Sequence, residues 1–230
     1  MAEELKRTAL SDEHVRLSGR MVPFAGWELP VQYDNTGPSV EHQTVRTAAG
    51  LFDIDHMGQV EVRGPDALPF LQRIQVSDIS DMAVLDARYS LMCYADGGIV
   101  DDIFIYRLGE QRWWVVVNAS NRAKDVAWMQ AHSQGFDLEL EDLSDRTYML
   151  ALQGPKAQAI LQKLTPADLA AMPFHSGLET TVAGVPAVLG ATGYTGEYGY
   201  ELFFPVEQAA LIWNTLLDTG KEEGLLPCGL

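Results

Sequence analysis

The chain has 230 residues, 47% of them hydrophobic and 21% charged, which suits one large domain or two small ones and excludes disorder as its main state. Sixteen Lys and Arg against 32 Asp and Glu give a formal net charge of −16, a field that repels phosphate backbones and anionic lipid, so no nucleic acid and no membrane is expected as a partner. No apolar run is long enough for a spanning helix, Met1-Ala-Glu-Glu-Leu-Lys-Arg carries early acids instead of a signal core, and two cysteines, Cys93 and Cys228, make no disulfide framework, so a cytoplasmic setting is expected.

Along the chain, residues 1–37 read as irregular, with turn residues at Gly26, Pro30 and Gly37-Pro38. Residues 38–49 read as a helix stopped by Gly50, and 58–63 as a strand. Gly64-Pro65 then opens a helix to about Gln75. Three strands follow at 87–94, 99–107 and 113–118, joined by the hairpin turns Asp96-Gly97-Gly98 and Gly109-Glu110-Gln111. An amphipathic helix at 118–133 stops at Gly135, and a strand lies near 136–141. A strand at 147–153 leads through Gly154-Pro155 into a helix to about Leu164. This repeats the earlier device: Val62-Arg63-Gly64-Pro65-Asp66-Ala67 parallels Leu152-Gln153-Gly154-Pro155-Lys156-Ala157, with Leu71 and Leu161 in matching positions. An ancient duplication and a merely good strand-to-helix turn both account for it. Strands at 180–183, 186–192 and 198–204 and a helix at 205–219 complete the pattern, which is α+β with mixed or antiparallel sheets. The apolar end, Gly224-Leu225-Leu226-Pro227-Cys228-Gly229-Leu230, reads as a cut through a longer protein.

Phosphate-loop, nucleophile-elbow and H-E-x-x-H motifs are absent. The histidines, His14, His42, His56, His132 and His175, show no ligand spacing, so no metal is expected. The acid pair Asp101-Asp102 stands out. On a strand, Ile99, Asp101, Ile103 and Ile105 share one face and Val100, Asp102, Phe104 and Tyr106 the other, so each acid interrupts an apolar face. At least one carboxylate is expected to be partly buried and poised for proton traffic or for holding a cationic nitrogen; the plainer alternative is that both cap the hairpin or lie at an edge. In Gly193-Tyr194-Thr195-Gly196-Glu197-Tyr198-Gly199-Tyr200-Glu201 the glycines imply a tight turn beside a flat aromatic surface. Glu201 there could take two parallel N–H bonds from a planar amino-heterocycle, or be an exposed hairpin acid. Asp55-His56 suggests acid–base chemistry, although a single loop histidine is more often structural.

Taken in order, Met21-Val22-Pro23-Phe24-Ala25-Gly26-Trp27-Glu28-Leu29-Pro30, Gly50-Leu51-Phe52-Asp53-Ile54-Asp55-His56-Met57-Gly58, Tyr89-Ser90-Leu91-Met92-Cys93, Gly97-Gly98-Ile99-Val100-Asp101-Asp102, Gln153-Gly154-Pro155-Lys156-Ala157 and Gly193-Tyr194-Thr195-Gly196-Glu197 resemble the T protein family of the glycine cleavage system, the aminomethyltransferases, across essentially the whole chain. The resemblance implies a reaction in which the aminomethyl group arrives on the lipoyl arm of the H protein, ammonia is released, and the carbon passes to tetrahydrofolate as 5,10-methylenetetrahydrofolate. It places the key acid of the family at Asp102, beside the folate nitrogens, which fits a semi-buried carboxylate. It places the pterin-binding carboxylate at Glu201, a ring neighbour at Tyr194, and pocket-lining positions at Met57, Tyr89 and Asn118. It implies an α+β folate-binding region with one subdomain (51–137) inserted in another (1–50 and 138–230). It also implies a C-terminal β-barrel domain and an Arg-bearing segment that this chain lacks. Two other readings are a folate-dependent demethylase or dimethylglycine- or sarcosine-type enzyme of the same superfamily, and a non-catalytic folate-binding protein.

Overall fold

The computed structural model describes residues 5–230; residues 1–4, on which part of the leader reading rests, lie outside them. The chain runs through β1 (Lys6–Arg7), α1 (Ser11–Arg16), β2 (Gly19–Phe24), β3 (Trp27–Tyr33), α2 (Gly37–Thr47), β4 (Ala49–Asp53), β5 (Gly58–Arg63) and α3 (Ala67–Ile74). The hairpin strands β6 (Ala87–Cys93), β7 (Ile99–Gly109) and β8 (Arg112–Val117) follow, then α4 (Arg122–His132), β9 (Glu139–Asp142), β10 (Thr147–Gln153) and α5 (Ala157–Leu161). The rest is β11 (Gly177–Val182), β12 (Val185–Gly190), β13 (Gly199–Pro205), α6 (Ala209–Gly220) and β14 (Leu225–Pro227). No described helix is long and apolar enough to cross a membrane.

Residues 5–37 are not irregular: β1, β3 and β2 form a three-stranded sheet. Pro30 reads as a turn residue, and neither it nor Pro23 can donate a ladder bond. Pro23 lies on the edge strand β2, and Pro30 lies on β3 beyond the two residues, Trp27 and Glu28, that β1 covers. The turn between them, Ala25-Gly26, has φ of 49° and 82°, the mirror-image geometry that matches strand twist.

The chain divides into two compact units. The first holds the described residues up to His56 with Thr147–Phe174 and Glu179–Leu230; the second holds Met57–Arg146 and His175–Leu178. Pairing explains the division. β4 pairs with β10 and β14 of the first unit, and β9 pairs with β5 of the second. Residues 51–56, 138–146 and 175–178 therefore fall on the opposite side of the division from the sequence-based boundaries, the last through the bridge of Ser176 to Asp86.

The six-stranded sheet runs β11-β12-β13-β10-β4-β14. In the first unit's core Leu51, Leu150, Leu152, Leu202 and Phe204 pack with Ile160 and Leu161 of α5 and Ile212, Trp213 and Leu216 of α6. In the second unit the sheet order is β6-β7-β8-β5-β9. Val60, Val62, Ile103, Ile105, Val115 and Val117 pack there with Phe70, Leu71 and Ile74 of α3 and Met129 of α4. Burial of such side chains at roughly 25 cal/mol per Å² is the main force holding each unit.

Both units use the Gly-Pro device in the same way. Gly64 and Gly154 have φ of 136° and 132°. A Cβ on Gly64 would lie 2.5 Å from the Asp137 carbonyl oxygen, and one on Gly154 2.6 Å from that of Ala48. Asp66 N–H and Lys156 N–H donate to those same two carbonyls, at 3.2 and 2.9 Å. Glycine is needed because the turn folds backbone directly onto backbone. Leu71 and Leu161 are each fully buried. The helices differ in extent: α3 runs to Ile74, but α5 stops at Leu161, short of the expected 164.

A polar knot ties the N-terminal segment of the first unit to its sheet. Asp53 Oδ2 accepts from Thr8 Oγ1 (2.7 Å) and Tyr148 Oη (2.8 Å) and meets His14 Nε2 at 2.8 Å. His14 Nδ1 meets Tyr33 Oη at 2.8 Å, and Asp55 N–H donates to Asp53 Oδ1 at 3.1 Å. The side chains of His14 and Asp53 are fully buried.

Candidate active site

The hairpin β6–β7 sets the geometry around Asp101-Asp102. Leu91 pairs with Asp102 and Met92 with Asp101, but Cys93 pairs with Ile99, so Val100 is an extra residue on β7. Such a bulge breaks the alternation of faces. Val100 and Asp101 are both buried, whereas Ile99 and Asp102 are exposed. The two-face expectation fails only for Ile99 and Val100: Asp101 keeps the face of Ile103 and Ile105, which is buried, and Asp102 faces out. The semi-buried carboxylate expected at Asp102 is Asp101 instead.

Asp101 is held from the segment that joins β8 to α4. Asn118 N–H donates to its Oδ2 at 3.2 Å, and its Oδ1 accepts from Asn118 Nδ2 at 3.1 Å and from Asn121 Nδ2 at 2.7 Å. Burial works to raise the Asp101 pKa, but hydrogen bonds from Asp125, Asn121 and Asn118 outweigh it and hold the carboxyl below its ordinary range. Asn118 Nδ2 also reaches Asp102, donating to its Oδ1 at 2.9 Å and its carbonyl oxygen at 3.1 Å. One half-buried amide thus fixes an inward and an outward carboxylate together. Tyr89 is half exposed on β6, opposite Phe104 and therefore on the Asp102 face of the sheet. Met57, half-buried, immediately precedes β5, and its carbonyl accepts from Gln59 Nε2 at 2.9 Å.

In the first unit, Gln153 anchors the Gly-Tyr-Thr-Gly loop. Its Nε2 donates to the Thr192 carbonyl at 3.0 Å, and its Oε1 accepts from Thr195 Oγ1 at 2.9 Å. A Cβ on Gly193 would lie 2.0 Å from Gln153 Oε1, so the backbone there must pass against this amide. The loop leaves the Tyr194 ring fully exposed at its tip. Glu201 is half-buried on β13 and accepts from Thr192 Oγ1 at 2.6 Å, while its face-mate Phe203 is buried. His56 is buried, its Nδ1 has no hydrogen-bond partner, and the Phe24 ring meets it edge-on at 5.5 Å. Burial lowers its pKa, with Asp53 opposing, which favours the neutral ring.

Of the six residues singled out in the sequence, the structure joins Asp102 directly to Asn118 and sets Tyr89 on the same sheet face, all in the second unit with Met57. Tyr194 and Glu201 belong to the first unit. Asn121, the N-cap of α4, and Asp125 within that helix escaped the sequence reading. The available signal was helical spacing, since Asp125 is in phase with the buried Met129 four residues on.

The mixed α+β architecture and the Asp-Asp hairpin belong to a defined class. The family model described as the GCVT N-terminal domain matches residues 10–230, and the chain belongs to that family. It is 49% identical over 227 residues to an aminomethyltransferase of Bacillus subtilis (strain 168), covering 98% of this chain and 62% of that one. It is 50% identical over 236 residues to an aminomethyltransferase of Symbiobacterium thermophilum, again covering 62% of the relative. The crystal structure of the glycine cleavage system aminomethyltransferase T from Bartonella henselae superposes with a TM-score of 0.90 at 33% identity, covering 98% of this chain and 60% of that one. The chain spans about three fifths of the length of these relatives.

Proposed function

We propose that this chain carries the folate-handling chemistry of a tetrahydrofolate-dependent aminomethyltransferase of the glycine cleavage system, with the lipoylated H protein as donor partner and ammonia and 5,10-methylenetetrahydrofolate as products. One observation carries the reading furthest. In a chain 49% identical to an aminomethyltransferase, the second acid of the Gly-Gly-x-x-Asp-Asp motif is the exposed one, and Asn118 holds it in place.

The residues present suit a ligand rich in N–H groups. Asp102 and Glu201 are acceptor-only when ionised; Asn118 donates to the first and Thr192 to the second. Tetrahydrofolate, when bound, supplies the nitrogens that take up the carbon. Asp102 would orient those nitrogens and stabilise the positive charge that develops as the carbon is transferred. Glu201 would accept paired N–H bonds from the pterin ring, and Tyr194 would lie against that ring. Met57, Tyr89 and Asn118 would line the pocket.

Titration of the five tryptophans' fluorescence with 5-formyltetrahydrofolate tests the reading. Saturable quenching is expected, weakened about tenfold or more in Glu201→Ala, the size of a lost charged hydrogen bond. Wild-type affinity in both Glu201→Ala and Asp102→Ala would overturn the assignment, as would no binding by the folded chain. Tetrahydrofolate-dependent ammonia release from aminomethyl-lipoyl H protein separates this reading from demethylase and sarcosine-type activities.

A further inference from the structure

Behind the Asp101-Asp102 pair lies a third acid, to which the functional reading gives no role. Asp125, in the first turn of α4, is fully buried, and neither of its carboxyl oxygens has an N–H or hydroxyl partner. Lys124 does not supply one. Its Nζ stands 3.7 Å from Asp125 Oδ1 and donates instead to the Val100 carbonyl. Asp125 lies one helical turn beyond Asn121, whose side chain bonds Asp101, and Lys124 Nζ bridges toward the Val100 carbonyl beside it, so the Asp125 carboxyl faces the Asp101 carboxyl. Two buried carboxylates facing each other cannot both be ionised at modest cost, so the arrangement needs one proton between them. Asp101 already accepts three N–H bonds from Asn118 and Asn121, which favours its charged form. Asp125 accepts none, which favours its acid form.

We propose that Asp125 is a positioning residue: it keeps a proton, donates it as an O–H bond to Asp101, and so completes the clamp through which Asn118 orients the exposed Asp102 carboxylate. A carboxylate offers about four acceptor positions, and Asn118 N–H, Asn118 Nδ2, Asn121 Nδ2 and the Asp125 hydroxyl fill them. With its acceptors filled, Asp101 is held still, and the amide bonded to it is held too. The same Nδ2 that donates to Asp101 Oδ1 donates to Asp102 Oδ1, so the chain of contacts from α4 to the surface is unbroken. Burial together with Asp101 pushes the Asp125 carboxyl up to about 8, against a partial offset from Lys124. The charged and titratable groups facing it are Asp101 on β7, Lys124 on its own helix and, through Asn118, Asp102. The consequence for the reaction rests on the reading of Asp102 given above; the proton itself does not.

Carbon-detected NMR of the aspartate carboxyls across pH, in the chain without folate, tests the pair directly. One aspartate is expected to titrate near pH 8 and to vanish from the titration in Asp125→Asn. The Asn118 side-chain amide signals are expected to move with the same midpoint in the wild type and to stay flat in Asp125→Asn, whose own amide donates in place of the acid. Asp125→Leu, which removes the donor, is expected to speed hydrogen exchange at the Asn118 amide. If that variant does not fold, the Asp125→Asn comparison still decides. An ordinary carboxylate range for every aspartate, or an Asn118 amide blind to the titration, overturns the proposal. Because folate is absent from these measurements, a chain that titrates as expected and still fails to bind 5-formyltetrahydrofolate upholds the pair and overturns only the functional reading.

Discussion

Each unit buries an aspartate on a strand, and the two are kept by different means. Asp53 in the first unit is met by two hydroxyls, a histidine ring and a backbone N–H. Asp101 in the second is met by three N–H bonds and by another acid. The number of partners is similar; what differs is whether the partner's proton is permanent. Burial first, and Asp53 second, push the Tyr33 and Tyr148 hydroxyls far up, so those two hydroxyls keep their protons over any working pH. The bond from Asp125 lasts only while that acid stays neutral. A buried carboxylate is therefore a fixed pin or a responsive joint according to the chemistry of its donors.

The largest effect is expected at the pin. Asp53→Ala leaves the hydroxyls of Thr8 and Tyr148 and the ring of His14 unmatched in the interior, and urea unfolding is expected to show a loss of about 3–5 kcal/mol. Tyr33→Phe removes one outer bond of the same knot and is expected to cost about 1–3 kcal/mol by the same measurement. If both changes prove nearly neutral, the pin is no pin and the contrast with Asp101 collapses.

The joint is expected to show itself in the pH dependence of stability. The folded-state pKa of Asp125 lies above its ordinary value of 3.8, at about 8. Its stabilising contribution is fully present below 3.8 and is lost as pH rises through about 8. Thermal melts of the wild type are expected to fall over that window more steeply than those of Asp125→Asn. Equal slopes would make both aspartates fixed. At the small end, Arg46→Ala breaks the 3.0 Å surface pair with Glu197, both partners part-exposed, and is expected to change unfolding by less than about 1 kcal/mol. A larger loss there would mean that the Tyr194 loop depends on more than its Gln153 anchor.

Much of the architecture was legible where hydrophobic period and turn residues agree. β5 and β10 fall at 58–63 and 147–153 as read, and the hairpins of β6, β7 and β8 follow their glycine turns. The N-terminal sheet was hidden because Pro23 and Pro30 are breakers in sequence, and tolerated here for topological reasons: an edge strand and a one-sided pairing. In the site, Asp102 and Asn118 were visible as motif positions. That Asp101 is the buried acid was not, because the period-two pattern gives each acid an apolar face and does not say which face the core covers. The Asp53 knot was invisible for another reason: its members, at 8, 14, 33, 53 and 148, meet only in three dimensions.

The two thiols lie in contrasting places. Cys228 is 2% exposed, and burial with Glu41 nearby pushes it up to about 12, so it offers almost no thiolate at neutral pH. Cys93 is half-buried and faces Ile99 across the bulge, two residues before Asp101. A maleimide dye is thus directed to the second unit without any engineered cysteine, next to the hairpin that carries both acids. The slower modification of Cys228 then serves as a clock for how often the first unit opens, so one labelling time course reads the two units separately.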